Sequence, residues 1–209
     1  MKILFQAAFV FFALLVGVAG AKDKNKNTNN FEAKLSGYNE VHFIAGNPAA
    51  VPIVPPALRG AVSSQASGKF QATINGSVIN YVISYTGLES DVTQSHIHFG
   101  QRHTVGGIVV WLCQTPGTPA PSSVAALTPF CPSVDPRSGT VSGTITQAQV
   151  LTVTGQGIDA GQFDELVRAI RAGIAYANVH TTVFTPGEIR GQIKASGKGD
   201  DDDDDEDED

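Results

Sequence analysis

The sequence predicts an all-β fold, an antiparallel β-sandwich that carries one short helix. Short segments rich in β-branched and aromatic residues recur between Gly, Pro, Asn and Ser. Several of them alternate apolar and polar residues, as in residues 68–74 and 140–146, so each such strand has one buried face and one solvent-facing side. Only residues 162–172 show helical spacing. Many short strands with a single late helix favour a sandwich over an α/β arrangement.

The amino terminus predicts secretion. Residues 1–21 contain one charge, Lys2, followed by an apolar stretch that ends in Ala19-Gly20-Ala21. This pattern is typical of a secretory signal peptide that is cleaved after Ala21. The alternative is a membrane anchor, but Gln6 interrupts the stretch and leaves fewer apolar residues than the ~20 that a span requires. We therefore expect a secreted, extracellular or cell-wall protein with no stable membrane insertion after cleavage.

The charged residues divide the mature chain into a leader, a domain and a tail. Residues 22–30 contain almost no apolar side chain and predict a flexible leader, and residues 197–209 predict a disordered acidic tail. The tail ends in ten consecutive acids, which we expect to attract cations. Five of the 14 Lys+Arg and 11 of the 20 Asp+Glu lie outside residues 31–196, so nine of each remain and this single domain has no net charge. That balance does not favour binding to nucleic acid.

Eight strands and several turns are predicted along the domain. The strands cover residues 31–38, 68–74, 77–85, 94–99, 107–113, 140–146, 174–181 and 188–194. Asn75-Gly76 predicts a two-residue type I′ hairpin turn with both residues at positive φ. Asn75 also begins the chain's one N-x-S/T sequon and is a candidate N-glycosylation site. Residues 51–58 contain three prolines and predict a covering loop.

One helix is predicted at residues 162–172. Phe163, Leu166, Val167 and Ile170 recur at helical spacing, and Gly173 follows as a stop signal. We expect this helix to pack on the sheet.

The two cysteines, Cys113 and Cys131, flank a segment rich in Pro, Ser and Thr. In a secreted chain this arrangement predicts a disulfide, the alternative being two free thiols. By loop entropy the bond would contribute roughly 3 kcal/mol.

Four of the five histidines are candidate metal ligands. His96 and His98 alternate with Ile97 along one strand, so both imidazoles project from the same face. His180 lies on a second strand and would join them if the two strands are neighbours. His103, in a nearby loop, is a weaker candidate. Imidazoles that converge in this way predict a copper or zinc site.

A buried polar network is the alternative interpretation of the same histidines. Glu188 and Arg190 alternate along the last strand, and together with Asn178 and backbone groups they offer acceptors and donors to imidazoles. Buried histidines are more often satisfied by hydrogen bonds than by metals. Both interpretations stay open at the level of sequence.

No catalytic residues are predicted. The chain has neither the G-x-S-x-G motif of serine hydrolases nor the H-E-x-x-H motif of zinc hydrolases. Both cysteines are expected to be oxidised and therefore unable to act as nucleophiles.

Several motifs together resemble the chordin-type (CHRD) domain family. They are HIHFG, the cysteine pair, SGTIT, AIRAGIAYANVHT and FTPGEIRGQI, and the likeness runs over residues 31–193. The chain departs from the usual pattern at His42-Phe43-Ile44, where prolines are common, and at His103, where a small residue is common. The resemblance implies an extracellular domain with an immunoglobulin-like β-sandwich fold.

Two functions follow as expectations. The first is a non-enzymatic extracellular or cell-wall binding module that contacts a protein or polysaccharide. The second is a secreted copper- or zinc-binding protein that uses His96, His98 and His180.

Overall fold

The structure is a computed structural model that describes residues 29–44, residue 49 and residues 57–197. The predicted signal peptide, most of the predicted leader and the acidic residues of the tail lie outside the described residues. The leader was predicted to reach residue 30, but Asn30 already begins the first strand. Within the described ranges, no helix is both long and apolar enough to cross a membrane.

The described chain forms eleven strands and one α-helix. The strands are β1 (Asn30–Ser36), β2 (Val41–Ile44), β3 (Ala57–Gly60), β4 (Ser67–Asn75), β5 (Val78–Thr86), β6 (Val92–Phe99), β7 (Gly107–Cys113), β8 (Gly139–Ile145), β9 (Ala175–Thr181), β10 (Ile189–Gln192) and β11 (Lys194–Ala195). The helix, α1 (Phe163–Arg171), precedes β9. All eight predicted strands and the predicted helix are confirmed within a few residues.

Nine of these strands form one antiparallel sheet. Its order is β7-β6-β9-β10-β1-β4-β5-β8, with β11 paired to β1, while β2 and β3 form a separate hairpin. The sheet curls until Cα atoms of its two edge strands, β7 and β8, approach within 8 Å, which makes it nearly a barrel. The all-β antiparallel class is therefore confirmed.

The structure does not support a division into two immunoglobulin-like sheets. Strand β1 pairs with β4 along its whole length and also with β10 and β11 on its other side, through Ser36↔Arg190 and Phe31↔Ala195. These pairs join what would be two separate sheets into one. Alternation along a strand shows that one face is buried, but it does not distinguish a curled sheet from two stacked ones.

The hydrophobic core fills the inside of the curled sheet. Alternate residues of the strands point into it, among them Phe70, Ile83, Ile97 and Val179, all fully buried. Helix α1 adds its apolar stripe, because Phe163, Leu166, Val167 and Ile170 are buried. Removal of this apolar surface from water is the main stabilising contribution to such a fold.

Two local predictions are corrected by the structure. The hairpin between β4 and β5 is present, but Asn75 pairs with Val78, so Gly76 and Ser77 are the central turn residues. Only Gly76 has positive φ, 60°, which fits a type II′ turn and not type I′. The covering loop predicted at residues 51–58 overlaps strand β3, whose first residue is Ala57; residues 51–56 lie outside the described part.

Candidate metal centre

The HIH strand and the NVHT strand are neighbours in the sheet. Strand β6 pairs with β9 so that His96 lies opposite Asn178 and Gln94 lies opposite His180. The intervening residues Ile97 and Val179 point into the hydrophobic core, so the histidines project from the opposite face of the sheet. That face is nevertheless covered, because the relative exposure of His96 is 0%, that of His98 is 7% and that of His180 is 5%.

Three imidazoles converge on this covered face, and we refer to His96, His98 and His180 as the three-histidine cluster. One ligand nitrogen from each lies within 4.8 Å of the others. The closest pair is Nδ1 of His96 and Nε2 of His180, 3.1 Å apart. The ring centroids of His98 and His180 are 6.2 Å apart. Neighbouring strands thus bring together the side chains that the sequence predicted for a shared site.

Backbone carbonyls orient two of the three rings. Nδ1 of His98 lies 2.9 Å from the carbonyl oxygen of Gly106, and Nδ1 of His180 lies 2.8 Å from that of Thr185. A carbonyl oxygen can only accept, so each Nδ1 must carry the hydrogen and donate it. In a neutral imidazole the other nitrogen, Nε2, then presents a lone pair to the centre of the cluster.

Burial keeps His96 and His98 uncharged. It lowers the pKa of His96 well below the ordinary histidine value, with further lowering from the neighbouring His180 and His98. Burial also lowers the pKa of His98 to about 3, although the Gly106 carbonyl favours its protonated form. Neutral imidazole is the form that binds metal ions.

Two nitrogens of the cluster have no hydrogen bond of normal geometry to a described residue, although the Asn178 side chain interacts with His98 and favours its protonated form. These are Nε2 of His96 and Nε2 of His98, both fully buried. If Nδ1 of His96 donates to Nε2 of His180, both of these nitrogens are lone pairs without a donor. A buried polar atom left without a partner costs about 1–3 kcal/mol. A cation bound by the cluster would supply a partner for Nε2 of His98, whereas Nε2 of His96 would stay without one, because Nδ1 is the nitrogen of His96 that faces His180.

Aromatic rings hold the cluster from two sides. Trp111, opposite His96 in the β6–β7 pairing, packs edge to face on its imidazole with centroids 4.3 Å apart. Tyr176 stacks flat on His98, at 4.7 Å and an interplanar angle of 3°. The guanidinium of Arg190 lies 3.3 Å from the centroid of Tyr176. These contacts restrict the rotation of both imidazoles.

Glu188 and Arg190 do not bond to the histidines, which corrects that part of the predicted polar network, whereas the predicted hydrogen bonds to backbone groups are present. The Glu188 carboxylate accepts from the Ser64 hydroxyl (2.7 Å), the Glu89 backbone N–H (2.9 Å) and the Thr181 hydroxyl (2.9 Å). The Arg190 guanidinium donates to two backbone carbonyls, those of Thr104 and Gln101. The buried polar side chains therefore form two groups, the three-histidine cluster and a separate centre around Glu188.

The other predicted site residues lie elsewhere. His103 is exposed in the loop after β6 and is not part of the three-histidine cluster. Asn75 is exposed at the β4–β5 turn. The disulfide is confirmed between Cys113, the last residue of β7, and Cys131.

Sequence analysis missed Glu40 and Trp111. Glu40 is buried, with Oε1 accepting from the Val41 N–H and Oε2 without a hydrogen-bond partner. Burial raises the pKa of Glu40 to about 7. A lone glutamate before a short strand gives no signal of burial, whereas Trp111, the chain's one tryptophan, could have been noticed on the strand that follows HIHFG.

A comparison with known protein families identifies the family to which the chain belongs. A family model described as the CHRD domain matches residues 31–193. The chain belongs to the CHRD domain family. The matched range contains both histidine strands, so the three-histidine cluster lies wholly within the CHRD domain. CHRD domains are typically extracellular. No curated protein matches the chain. No solved structure matches it either.

Proposed function

We propose that this CHRD-domain protein is a secreted, non-enzymatic module that binds one copper or zinc ion through His96, His98 and His180. The observation that carries the proposal is the arrangement of three buried imidazoles whose ligand nitrogens lie within 4.8 Å of one another. Two of them donate their Nδ1–H to backbone carbonyls. Histidine ligands of metals are commonly oriented by such contacts, which fix the tautomer and the direction of the lone pair.

The spacing of the nitrogens supports a shared ion. Zinc–nitrogen bonds are about 2.0–2.1 Å long, so two nitrogens on a tetrahedral ion lie roughly 3.3 Å apart. Nδ1 of His96 and Nε2 of His180 are 3.1 Å apart, which is close to that separation and is also a hydrogen-bond length. Because these two atoms face each other, His96 would use Nδ1 and the other two histidines would use Nε2. The three ligand nitrogens span up to 4.8 Å, so the cluster would have to contract for all three to bind one ion.

The ligand types favour copper or zinc over other common ions. Imidazole nitrogen suits copper and zinc, whereas calcium and magnesium prefer several oxygen ligands. Thiolate ligation is not available, because both cysteines form the disulfide. Three protein ligands leave a fourth position for water or a group from a partner.

A purely structural network explains the same residues less well. A hydrogen-bond network satisfies Nδ1 of all three histidines, through His180 and the carbonyls of Gly106 and Thr185, but it leaves Nε2 of His98 without a hydrogen bond of normal geometry. The predicted partners Glu188 and Arg190 bond to other groups. The unsatisfied Nε2 of His98 is a proposed ligand atom, and it favours the metal site.

The deciding experiment is metal analysis of protein purified from a secreting host without an affinity tag. We expect about one copper or zinc per chain, and titration of metal-free protein should show one site that raises the melting temperature. Metal at 100 times Kd stabilises a fold by ≈ 2.7 kcal/mol. His98→Ala should abolish both effects.

His103→Ala is the matched control, because it removes an imidazole from an exposed loop outside the cluster. This variant should bind metal like the wild type. Absence of binding in the wild type, or equal binding by the His98→Ala variant, would refute the metal site. The expected contact with an extracellular protein or polysaccharide remains a prediction beside this proposal.

A further inference from the structure

A basic cleft lies on the outer face of the sheet, over β1, β10 and β11 and beside the loop that follows β6. It has a volume of about 440 Å³ and is lined by Lys34, Arg102, His103, Arg190 and Lys194, together with three neutral polar residues. No carboxylate among the described residues lines it. This concentration of positive charge is notable in a domain whose total charge is balanced, and it favours an anionic ligand.

Arg190 supplies a buried positive charge to this cleft. Its relative exposure is 2%, and its guanidinium is held by two backbone carbonyls and by the ring of Tyr176. The acid whose charge acts on Arg190 is the buried Glu40, which makes no ion pair with it within 4 Å and whose pKa of about 7 leaves it only partly ionised at neutral pH. Buried charges are normally paired with an opposite charge because desolvation is costly. An anion in the cleft would provide that counter-charge.

The backbone of His103 is a second, independent feature of the cleft. His103 has a φ of 64°, one of two positive values for non-glycine residues in the described chain. This conformation costs roughly 1–2 kcal/mol for a residue with a side chain. Residues in strained backbone conformations are found most often at ligand-binding sites, and His103, which has such a conformation, lines the basic cleft.

We propose that the basic cleft binds the chain's own acidic tail, residues 200–209. Lys194, in β11, lines the cleft, and the first tail acid follows only six residues later. Six residues span up to ~20 Å, so the acids can reach the cleft without long excursions. Ten consecutive carboxylates complement the five basic side chains.

Attachment to the same chain favours the tail over an external polyanion. A tethered ligand has an effective concentration that reaches the millimolar range for short linkers. An acidic polysaccharide offers similar carboxylates, but it must then displace the tail.

The test uses a fluorescent peptide with the sequence of residues 200–209 and two forms of the protein. One form is the full chain, and the other has all ten tail acids replaced by Asn or Gln. At low salt the neutralised form should bind the peptide at least about tenfold more tightly than the full chain, because its own tail no longer competes. Binding should disappear at about 0.5 M salt, where charge interactions are screened.

Charge variants of the neutralised form locate the binding site. Lys34→Gln with Arg102→Gln should weaken peptide binding at least about tenfold. Arg137→Gln with Arg168→Gln removes the same charge from exposed residues that pair with Asp91 and Glu165, away from the cleft, and should have little effect.

Three results would overturn the proposal. The first is a neutralised form that does not bind the peptide, and the second is equal binding by the full chain and the neutralised form. The third uses polygalacturonate as a probe. If this acidic polysaccharide binds both forms equally and the Lys34/Arg102 variant abolishes its binding, the cleft serves an external ligand and not the tail.

Discussion

At the residue scale, two buried glutamates differ in what surrounds their carboxyl groups. Glu188 accepts three hydrogen bonds, from two hydroxyls and one backbone N–H. Glu40 accepts one, from the Val41 N–H, and its Oε2 has no hydrogen-bond partner. Replacing the carboxylate by an amide should therefore lower the unfolding free energy at Glu188 and raise it, above pH 7, at Glu40.

Glu188→Gln should destabilise the protein. The amide nitrogen of glutamine cannot accept the hydrogen bonds now accepted by one of the carboxylate oxygens, so at least one buried donor loses its partner. We expect the free energy of unfolding, measured with urea at pH 7, to fall by about 1–3 kcal/mol. An unchanged unfolding midpoint would show that this centre contributes nothing to stability.

Glu40→Gln should remove a pH dependence of stability. The pKa of Glu40 is about 7 in the folded protein, against 4.5 for the free side chain. The folded state therefore holds the proton more tightly, and the stability that it confers is fully present below pH 4.5 and is lost as pH rises through 7. By pH 8 the loss is on the order of 3 kcal/mol, since one pKa unit corresponds to about 1.4 kcal/mol.

The measurement is the difference in unfolding free energy between wild type and the Glu40→Gln variant at pH 5 and at pH 8. Glutamine stays neutral, so the unfolding free energy of the variant should increase relative to that of the wild type as pH rises. A difference that does not change with pH would contradict an elevated pKa for Glu40.

Part of the site was predictable from residue alternation alone. His96 and His98 lie two residues apart on a strand, and this spacing placed both imidazoles on one face. The same rule failed for Glu188, which precedes β10 at a point where Gly187 has a φ of 134°. Alternation applies only within a regular strand, so it could not show that Glu188 points away from the histidines.

At the element scale, the missed strands are the short ones. Strands β2 and β3 contain four residues each and form their own hairpin. Four residues give little periodicity, and nearby prolines favour a loop interpretation. Longer strands such as β4 and β5 were predictable because nine residues show alternation clearly.

The end of helix α1 depends on one glycine. Gly173 has a φ of 71°, its N–H donates to the Ile170 carbonyl, and the next N–H, of Ile174, donates to the Ala169 carbonyl. These two bonds form a Schellman motif, which satisfies carbonyls that the helix would leave unpaired.

Gly173→Ala should lower the unfolding free energy by about 1–2 kcal/mol, because a side chain disfavours the left-handed conformation. Gly117→Ala is the control, since this exposed loop glycine has no positive φ and its added methyl group would meet no atom within 4 Å. Thermal unfolding of both variants tests the prediction, and equal melting temperatures would contradict it.

At the scale of the whole molecule, the contact between β10 and β1 joins the two halves of the sheet. The sequence predicted the faces of individual strands, but the number of sheets depends on which strands pair across distant parts of the chain. Gly191 in β10 allows the close approach, because a Cβ there would lie 2.2 Å from the backbone oxygen of Lys34 in β1.

Gly191→Ala should therefore force β10 away from β1. We expect a loss of roughly 1–3 kcal/mol in unfolding free energy, as for other overpacked sites. Hydrogen exchange should show faster exchange of the amides of β1 and β10 than in the Gly117→Ala control. Unchanged protection in these two strands would mean that their contact does not join the halves.

The central claim is that His96, His98 and His180 bind one metal ion, and X-ray absorption spectroscopy of the copper- or zinc-loaded protein tests it most directly. We predict a first shell containing three imidazole nitrogens at about 2.0 Å. The His98→Ala variant should lose one of these imidazoles or the ion itself, whereas the His103→Ala variant should give the wild-type spectrum. A shell of oxygen ligands alone, or a spectrum that His98→Ala leaves unchanged, would contradict the account.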